Sequence, residues 1–208
     1  MLVSLDQVKR PRTTADRRPI IAYAHLLSDV LCAKAYDVHS LKVLNLGCGK
    51  SHETAAILCA TKFSHRIKEV SVLGLDKDPD MVDVAKTSDF HLSGFSSRSV
   101  IGDIRNLAVC IDSTYDLCII RHPNMRANTG AWDEALPSLS GFLSRGAVIV
   151  VTTYANSEAD IFRVLLQKHF YQIDQDRPNK YSVAFSDMPD CSSCRYDNHL
   201  IVASVKLS

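Results

Sequence analysis

The sequence predicts an α/β domain: a three-layer sandwich in which a mostly parallel sheet carries helices on both faces. Three observations predict it. Short apolar runs at 41–46, 70–76, 99–103, 115–121 and 146–153 alternate with segments of helical spacing, the pattern of right-handed crossover units. The run at 146–153 is rich in β-branched residues, which favour pleated, buried surfaces. At 208 residues with 46% hydrophobic content, the chain is long enough to bury one sizeable core.

Residues 1–18 hold Lys9, Arg10, Arg12, Arg17 and Arg18 with little apolar content, and read as a basic, flexible, solvated arm. Residues 19–208 read as a single domain. From Pro19, apolar residues at 20, 21, 24, 27, 30, 31 and 35 give a helix that covers one face of the domain. The run at 41–46 is a buried strand, and 53–63 is a helix with few polar positions, hence buried on much of its circumference. After the strand at 70–76, Asp78 caps a helix that Pro79 opens, because proline's missing N–H has no intrahelical partner there anyway.

Residues 99–103 and 115–121 are the third and fourth strands. Residues 129–143 are helical with an expected break at Pro137, and 146–153 is the fifth strand. Ser157 and Asp160 stand in capping-box spacing at the head of a helix over 157–170, which sets Ile161, Val164, Leu165 and Lys168 along one face. Residues 171–176 and 199–207 read as two more strands joined by a long polar loop.

Composition narrows function. The formal net charge of +1 produces no global field that would select nucleic acid or acidic substrates. Apolar stretches such as 147–151 are too short to cross a bilayer, and the N-terminus has no sustained apolar region of a secretory signal. Seven scattered cysteines, an odd number, imply reduced thiols and a cytoplasmic setting. Cys191 and Cys194 form half of a zinc pattern with His199 nearby; without a second half, no metal site is expected.

In such sheets ligands bind at the carboxyl ends of strands, which places the site just after residues 46, 76, 103 and 121. The first of these ends carries Asn45-Leu46-Gly47-Cys48-Gly49-Lys50-Ser51. Gly49-Lys50-Ser51 matches the end of a phosphate-binding loop, but Leu44 stands where that loop needs another glycine. A dinucleotide fingerprint needs a small residue where His52 stands. What remains is a tight turn that lets backbone approach a ligand needing no phosphate cradle. Asp76 can then accept from both hydroxyls of a ribose, and Asp103 from an exocyclic amine such as that of adenine.

In these motifs the chain resembles the class I S-adenosylmethionine-dependent methyltransferases, through VLNLGCGKSHET, VLGLDKDPDMVDVAK, IGDIRNL and YDLCIIRHPN, over most of residues 40–207. The resemblance implies a seven-stranded sheet whose last strand runs antiparallel. It implies S-adenosyl-L-methionine as cofactor, with Gly47, Cys48 and Gly49 against its methionine part. Asp76 would bind the ribose, with Lys77 flanking the adenine, and Asp103 the adenine amine, with Ile104 beside it. The family usually has an acid at the place of Asn45, whose amide oxygen can accept the same ammonium bond more weakly.

At the fourth strand end, Arg121-His122-Pro123-Asn124 replaces the Asn/Asp-Pro-Pro-aromatic clamp of enzymes that methylate planar amines. His122 is the candidate general base for an acceptor that must lose a proton, against the alternative of a loop hydrogen bond. Arg121 pairs either with an acidic acceptor or, in the favoured reading, with a carboxylate of the protein. Tyr154 and Trp132 are candidates to line the acceptor pocket and Tyr23 to close over the cofactor, each with core packing as its alternative. The compact size favours a small-molecule acceptor, with RNA or protein as other classes and no membrane partner. A non-catalytic binding module on the same sheet and an NAD(P)-dependent oxidoreductase are the competing functions.

Overall fold

The computed structural model describes residues 17–34, 39–62, 67–184 and 195–205. Residues 1–16 of the basic arm and the Cys191/Cys194 pair lie outside the described residues. Arg17 and Arg18, assigned to the arm, instead form the first turn of α1 (Arg17–Ala33). Pro19 is tolerated there because first-turn N–H groups have no intrahelical acceptor.

The strands and helices then alternate as expected: β1 (Ser40–Leu46), α2 (His52–Lys62), β2 (Glu69–Asp76), α3 (Pro79–Lys86), β3 (His91–Leu92) and β4 (Phe95–Ile101). A 3-10 turn (Ile104–Asn106) and the short α4 (Leu107–Cys110) lead to β5 (Tyr115–Arg121), α5 (Met125–Leu139), β6 (Leu143–Thr153) and α6 (Asn156–Lys168). The chain continues through β7 (Tyr171–Pro178), β8 (Val183–Ala184), β9 (Arg195–Tyr196) and β10 (His199–Val205).

The main sheet runs β3-β4-β2-β1-β5-β6-β10-β7. Strands β4, β2, β1, β5 and β6 pair in parallel, and β10 runs antiparallel between β6 and β7. The sheet thus has eight strands where the family likeness implied seven. The extra one, β3, folds back antiparallel onto β4, across a turn in which Gly94 takes φ +74.

Successive strand residues feed opposite cores. Leu41 and Val43 of β1 pack with Tyr23, Leu26 and Leu27 of α1, whereas Leu44 and Leu46 share the other core with Leu136 of α5 and Phe162 of α6. Both faces are therefore covered, as the parallel pairing requires.

Local signals hold where they are self-contained. Asp78 caps α3, accepting from the N–H groups of Asp80 and Met81 at 3.0 and 3.3 Å. Two expectations fail for tertiary reasons. Pro137 does not break α5, which runs on to Leu139 before a 3-10 turn (Ser140–Phe142) takes over. The Ser157/Asp160 box does not form: α6 begins at Asn156 without a side-chain cap, and the Glu158 carboxylate instead takes the N–H of Tyr154 at 3.2 Å. The inward stripe of α6 shifts accordingly to Ala159, Phe162, Leu165 and Leu166, while Ile161 is 37% and Val164 60% exposed.

This shift sets an expected outcome for equilibrium urea unfolding. Phe162, fully buried and edge-on to Trp132 at 5.6 Å, should cost about 3–5 kcal/mol on truncation to Ala. Val164→Ala should cost under about 0.5 kcal/mol.

Candidate functional site

A cleft of about 470 Å³ opens at the carboxyl edge of the sheet. Its walls come from the ends of β1 (Leu46, Gly47), β2 (Asp76, Lys77), β4 (Gly102, Asp103) and β5 (Arg121, His122), with Trp132 of α5 closing one side. All four expected strand ends meet there.

The turn after β1 is pinned onto β2. The N–H groups of Gly47 and Cys48 donate to the Leu75 carbonyl at 2.8 and 3.1 Å, that of Gly49 to Asp76 Oδ2 at 2.8 Å, and that of Ser51 to the Cys48 carbonyl at 2.7 Å. Gly47 and Gly49 take φ +67 and +48, conformations that cost little only for glycine. Gly74 in β2 makes the approach possible, since a Cβ there would lie 3.0 Å from Cys48 Sγ. With these donors engaged inside the chain, the N–H groups of Gly47, Cys48, Gly49 and Ser51 are not left to cradle a pyrophosphate. Burial pushes the Cys48 thiol up to about 12, so it stays protonated.

Asp76 accepts from the N–H groups of Gly49 and Asp78, one on each oxygen, and each oxygen retains a lone pair. Asp103 caps the 3-10 turn by accepting the Arg105 N–H at 2.9 Å. The Arg105 guanidinium holds the same carboxylate, with Nη2 2.5 Å from Oδ2. These side-chain and backbone bonds from Arg105 bring the Asp103 carboxyl down to about 2. Both acids therefore line one hollow, and Asp103 does so as an anion at neutral pH.

Behind β5 lies a buried ionic cluster. Arg121 donates from Nε and Nη2 to Asp197 Oδ1 and Oδ2, both at 2.8 Å, and from Nη1 to Glu53 Oε1 at 3.0 Å. Its guanidinium sits 4.7 Å from the centre of the Tyr23 ring. Thr152 donates its hydroxyl to Asp197 Oδ1 at 2.6 Å. Burial favours the neutral forms of Arg121 and Asp197, but Asp197 and Glu53 outweigh it at Arg121, which stays charged. At Asp197 the Arg121 charge likewise overcomes burial and holds the carboxyl below its ordinary range.

His122 adopts φ +54, donates its N–H to the Thr152 carbonyl at 2.8 Å and stacks on Tyr154 with ring centres 3.7 Å apart. Its Nε2 accepts the Asp197 N–H at 3.1 Å. Burial lowers its pKa, against the pull of Asp197.

Of the expected cofactor contacts, Gly47, Asp76, Lys77, Asp103 and Ile104 line the cleft. Asn45, Cys48, Gly49 and Tyr23 stand behind its lining. Asn45 is 1% exposed, since its position in β1 faces the α1 and α2 layer; Nδ2 donates to Glu53 Oε2 at 3.3 Å, and Oδ1 has no partner among the described residues. Tyr23 is sealed under Arg121, its hydroxyl likewise without a partner among the described residues. Arg121 commits three donors to the protein's own carboxylates, as its favoured reading held. Trp132 reaches the cleft, while Tyr154 backs the His122 ring.

Glu53, Thr152 and Asp197 escaped sequence reasoning. Glu53 alone left a signal, as an acid within a helix otherwise read as buried. No helix of the described residues is long and apolar enough to cross a membrane.

Neither a family model nor any curated protein matches the sequence. Solved structures do match. An S-adenosylmethionine-dependent methyltransferase from Clostridium acetobutylicum superposes with a TM-score of 0.63 at 12% identity, covering 98% of this chain and 95% of that one. The plantazolicin methyltransferase BamL, solved with S-adenosylhomocysteine and a triazolic desmethylPZN analogue, gives 0.58 at 13% identity over 94% and 87%. A precorrin 8w decarboxylase from Methanobacterium thermoautotrophicum gives 0.55 at 13% identity over 97% and 95%. The chain has the class I S-adenosylmethionine-dependent methyltransferase fold. At these identities the likeness is one of fold, and chemistry has to be argued from the cleft.

Breaking the buried cluster by removing one partner is costly, whatever its net worth. Arg121→Met leaves two carboxylates buried without their cation, and should lower unfolding free energy by about 3–5 kcal/mol in denaturant titrations at pH 7.

Proposed function

We propose that the protein is a methyltransferase that binds S-adenosyl-L-methionine in this cleft. One observation carries the reading: two carboxylates from neighbouring strand ends share a hollow whose third wall is a glycine turn with the Gly47, Cys48 and Gly49 amides already engaged. That combination suits a nucleoside lacking phosphates.

In this reading Asp76 accepts the ribose hydroxyls on its remaining lone pairs, with Lys77 and Ile104 beside the adenine. Asp103 takes the adenine amine in place of Arg105, a partner held by a solvent-exposed and therefore weak pair. Gly47 gives the ligand room at the turn, which Cys48 and Gly49 shape from behind. Asn45 and Tyr23, buried in the layer behind the cleft, support its wall without facing the ligand. Bound there, the cofactor supplies an electrophilic methyl group on a sulfonium.

His122 is the proposed catalytic residue at the acceptor end, and Arg121 the cation that holds that wall in place. A small-molecule acceptor is preferred, and labelled transfer to metabolite, RNA and protein pools tests the class directly. A cytoplasmic setting belongs to the same proposal, fitting Cys48 and Cys118 as free buried thiols.

A second reading, a binding module without chemistry, draws on the engagement of His122 Nε2 by Asp197, which leaves one ring nitrogen for reaction. An NAD(P)-dependent oxidoreductase is disfavoured by the engaged amides of the turn.

Thermal-shift measurements with S-adenosylhomocysteine, NAD and NADP separate these. S-adenosylhomocysteine at a hundredfold excess over its Kd should stabilise the protein by about 2.7 kcal/mol. Asp76→Ala should abolish the shift; stabilisation by NAD alone would overturn the proposal. His122→Ala should leave S-adenosylhomocysteine binding within about twofold and slow transfer by at least about tenfold, the worth of one lost hydrogen bond.

The sign of the pH dependence follows from burial. A lowered His122 pKa keeps the ring neutral to more acid pH than an ordinary imidazole. The rate should therefore hold steady on acidification through the usual imidazole range and fall only below it. Rates measured across that range check this.

A further inference from the structure

Asp197, in the turn between β9 and β10, carries no motif, yet it touches both residues with which β5 reaches the cleft. It is 2% exposed and takes φ +51, a left-handed conformation that aspartate tolerates better than most residues. Its carboxylate holds Arg121 through two parallel bonds and receives the Thr152 hydroxyl. Its N–H donates to His122 Nε2, and its carbonyl accepts from Asn179 Nδ2 at 2.7 Å. The turn is thus held from four directions.

We propose that Asp197 is a positioning residue for the transfer site, fixing the His122 ring in one orientation and one tautomer at the cleft wall. The inference rests on the methyltransferase reading only for its catalytic meaning; the arrangement is testable without cofactor.

The lone pairs of Asp197 decide the tautomer. Oδ1 already accepts from Arg121 Nε and Thr152 Oγ1, which fills the two lone pairs of a carboxylate oxygen. His122 Nε2 lies 3.1 Å from that oxygen and 3.1 Å from the Asp197 N–H. In the neutral ring Nε2 therefore accepts the backbone N–H, and the proton resides on Nδ1. The ring nitrogen left for an acceptor is Nδ1, which donates. His122 then orients the acceptor through a hydrogen bond to one of its lone pairs, and no proton changes hands in the resting arrangement. This deepens the site reading toward acceptors that present an oxygen or nitrogen lone pair to Nδ1–H.

Protonating the ring sets Nε2–H against the Asp197 N–H and toward Oδ1. The charged and titratable groups facing His122 are Asp197, Arg121, Glu53 from α2, Tyr154 after β6 and Tyr196 of β9. Asp197 and Glu53 favour the imidazolium, whereas Arg121 and burial oppose it. Asp197 is the group that both contacts the ring and carries the compensating charge.

The test uses the full chain with 15N-labelled histidine, the His122 signals being assigned by their loss in His122→Gln. At neutral pH the wild-type ring should show Nδ1 protonated and Nε2 bare. Asp197→Asn removes the favourable charge and should move the His122 titration to lower pH. Thr152→Val keeps the side-chain shape, frees a lone pair on Oδ1 and should move the titration to higher pH. Shifts of opposite sign from two neighbours are not what a merely structural role produces. If Asp197→Asn fails to fold, Thr152→Val decides alone.

A wild-type ring protonated on Nε2, or a His122 titration unmoved in a folded variant, would overturn the proposal. Thermal shift with S-adenosylhomocysteine is run on the same samples. Its absence in wild type would overturn the cofactor reading while leaving the tautomer result to stand or fall independently.

Discussion

A single guanidinium, buried among carboxylates, organises the carboxyl edge of the sheet. Arg121 joins Glu53 of α2 and the turn before β10, and lies against Tyr23 of α1. Bringing such charges out of water is costly, and the gain over a well-packed apolar alternative is small or negative. What the arrangement supplies is direction. Two parallel bonds to Asp197 fix the orientation of the guanidinium plane, and the same residue holds the ring of His122, so β5 ends in one conformation at the wall of the cleft.

The two sides of that edge are built on different principles. On the β2 and β4 side, Asp76 and Asp103 are satisfied by backbone amides and by one exposed arginine, partners that leave lone pairs free or can be exchanged at low cost. On the β5 side, donors and acceptors are matched within the protein and shielded from water, where electrostatic interactions are strongest and rearrangement is most unfavourable. A ligand can thus be received at one end of the hollow while the other end keeps its shape. Preorganised polar walls of this kind suit a displacement in which positioning carries much of the catalysis.

The glycine turn links the two sides. Because its amides are bound to Leu75 and Asp76, it works as a spacer that brings β1 against β2 rather than as an anion cradle. This separates it physically from phosphate-binding turns with which it shares residues, and the difference lies in where the N–H groups point. The overall fold alone does not make that distinction, since related sheets serve several chemistries.

The amino-acid sequence by itself determined the alternation of strands and helices, the strand ends where the cleft opens, the Asp78 cap and the two cleft acids. Each depends on neighbours within a few residues or on a period of two along a strand, so each is written locally. The tertiary structure alone decided the cluster: Asp197 lies 76 residues and Glu53 lies 68 residues from Arg121 along the chain, and no local pattern joins them. It decided the burial of Asn45 and Tyr23 as well, because both lie where α1 and α2 pack onto the sheet, a contact that no local pattern specifies. The inward stripe of α6 shifted for a similar reason: its helix began one residue early and packed Phe162 against Trp132, an outcome set by partners from another helix rather than by spacing.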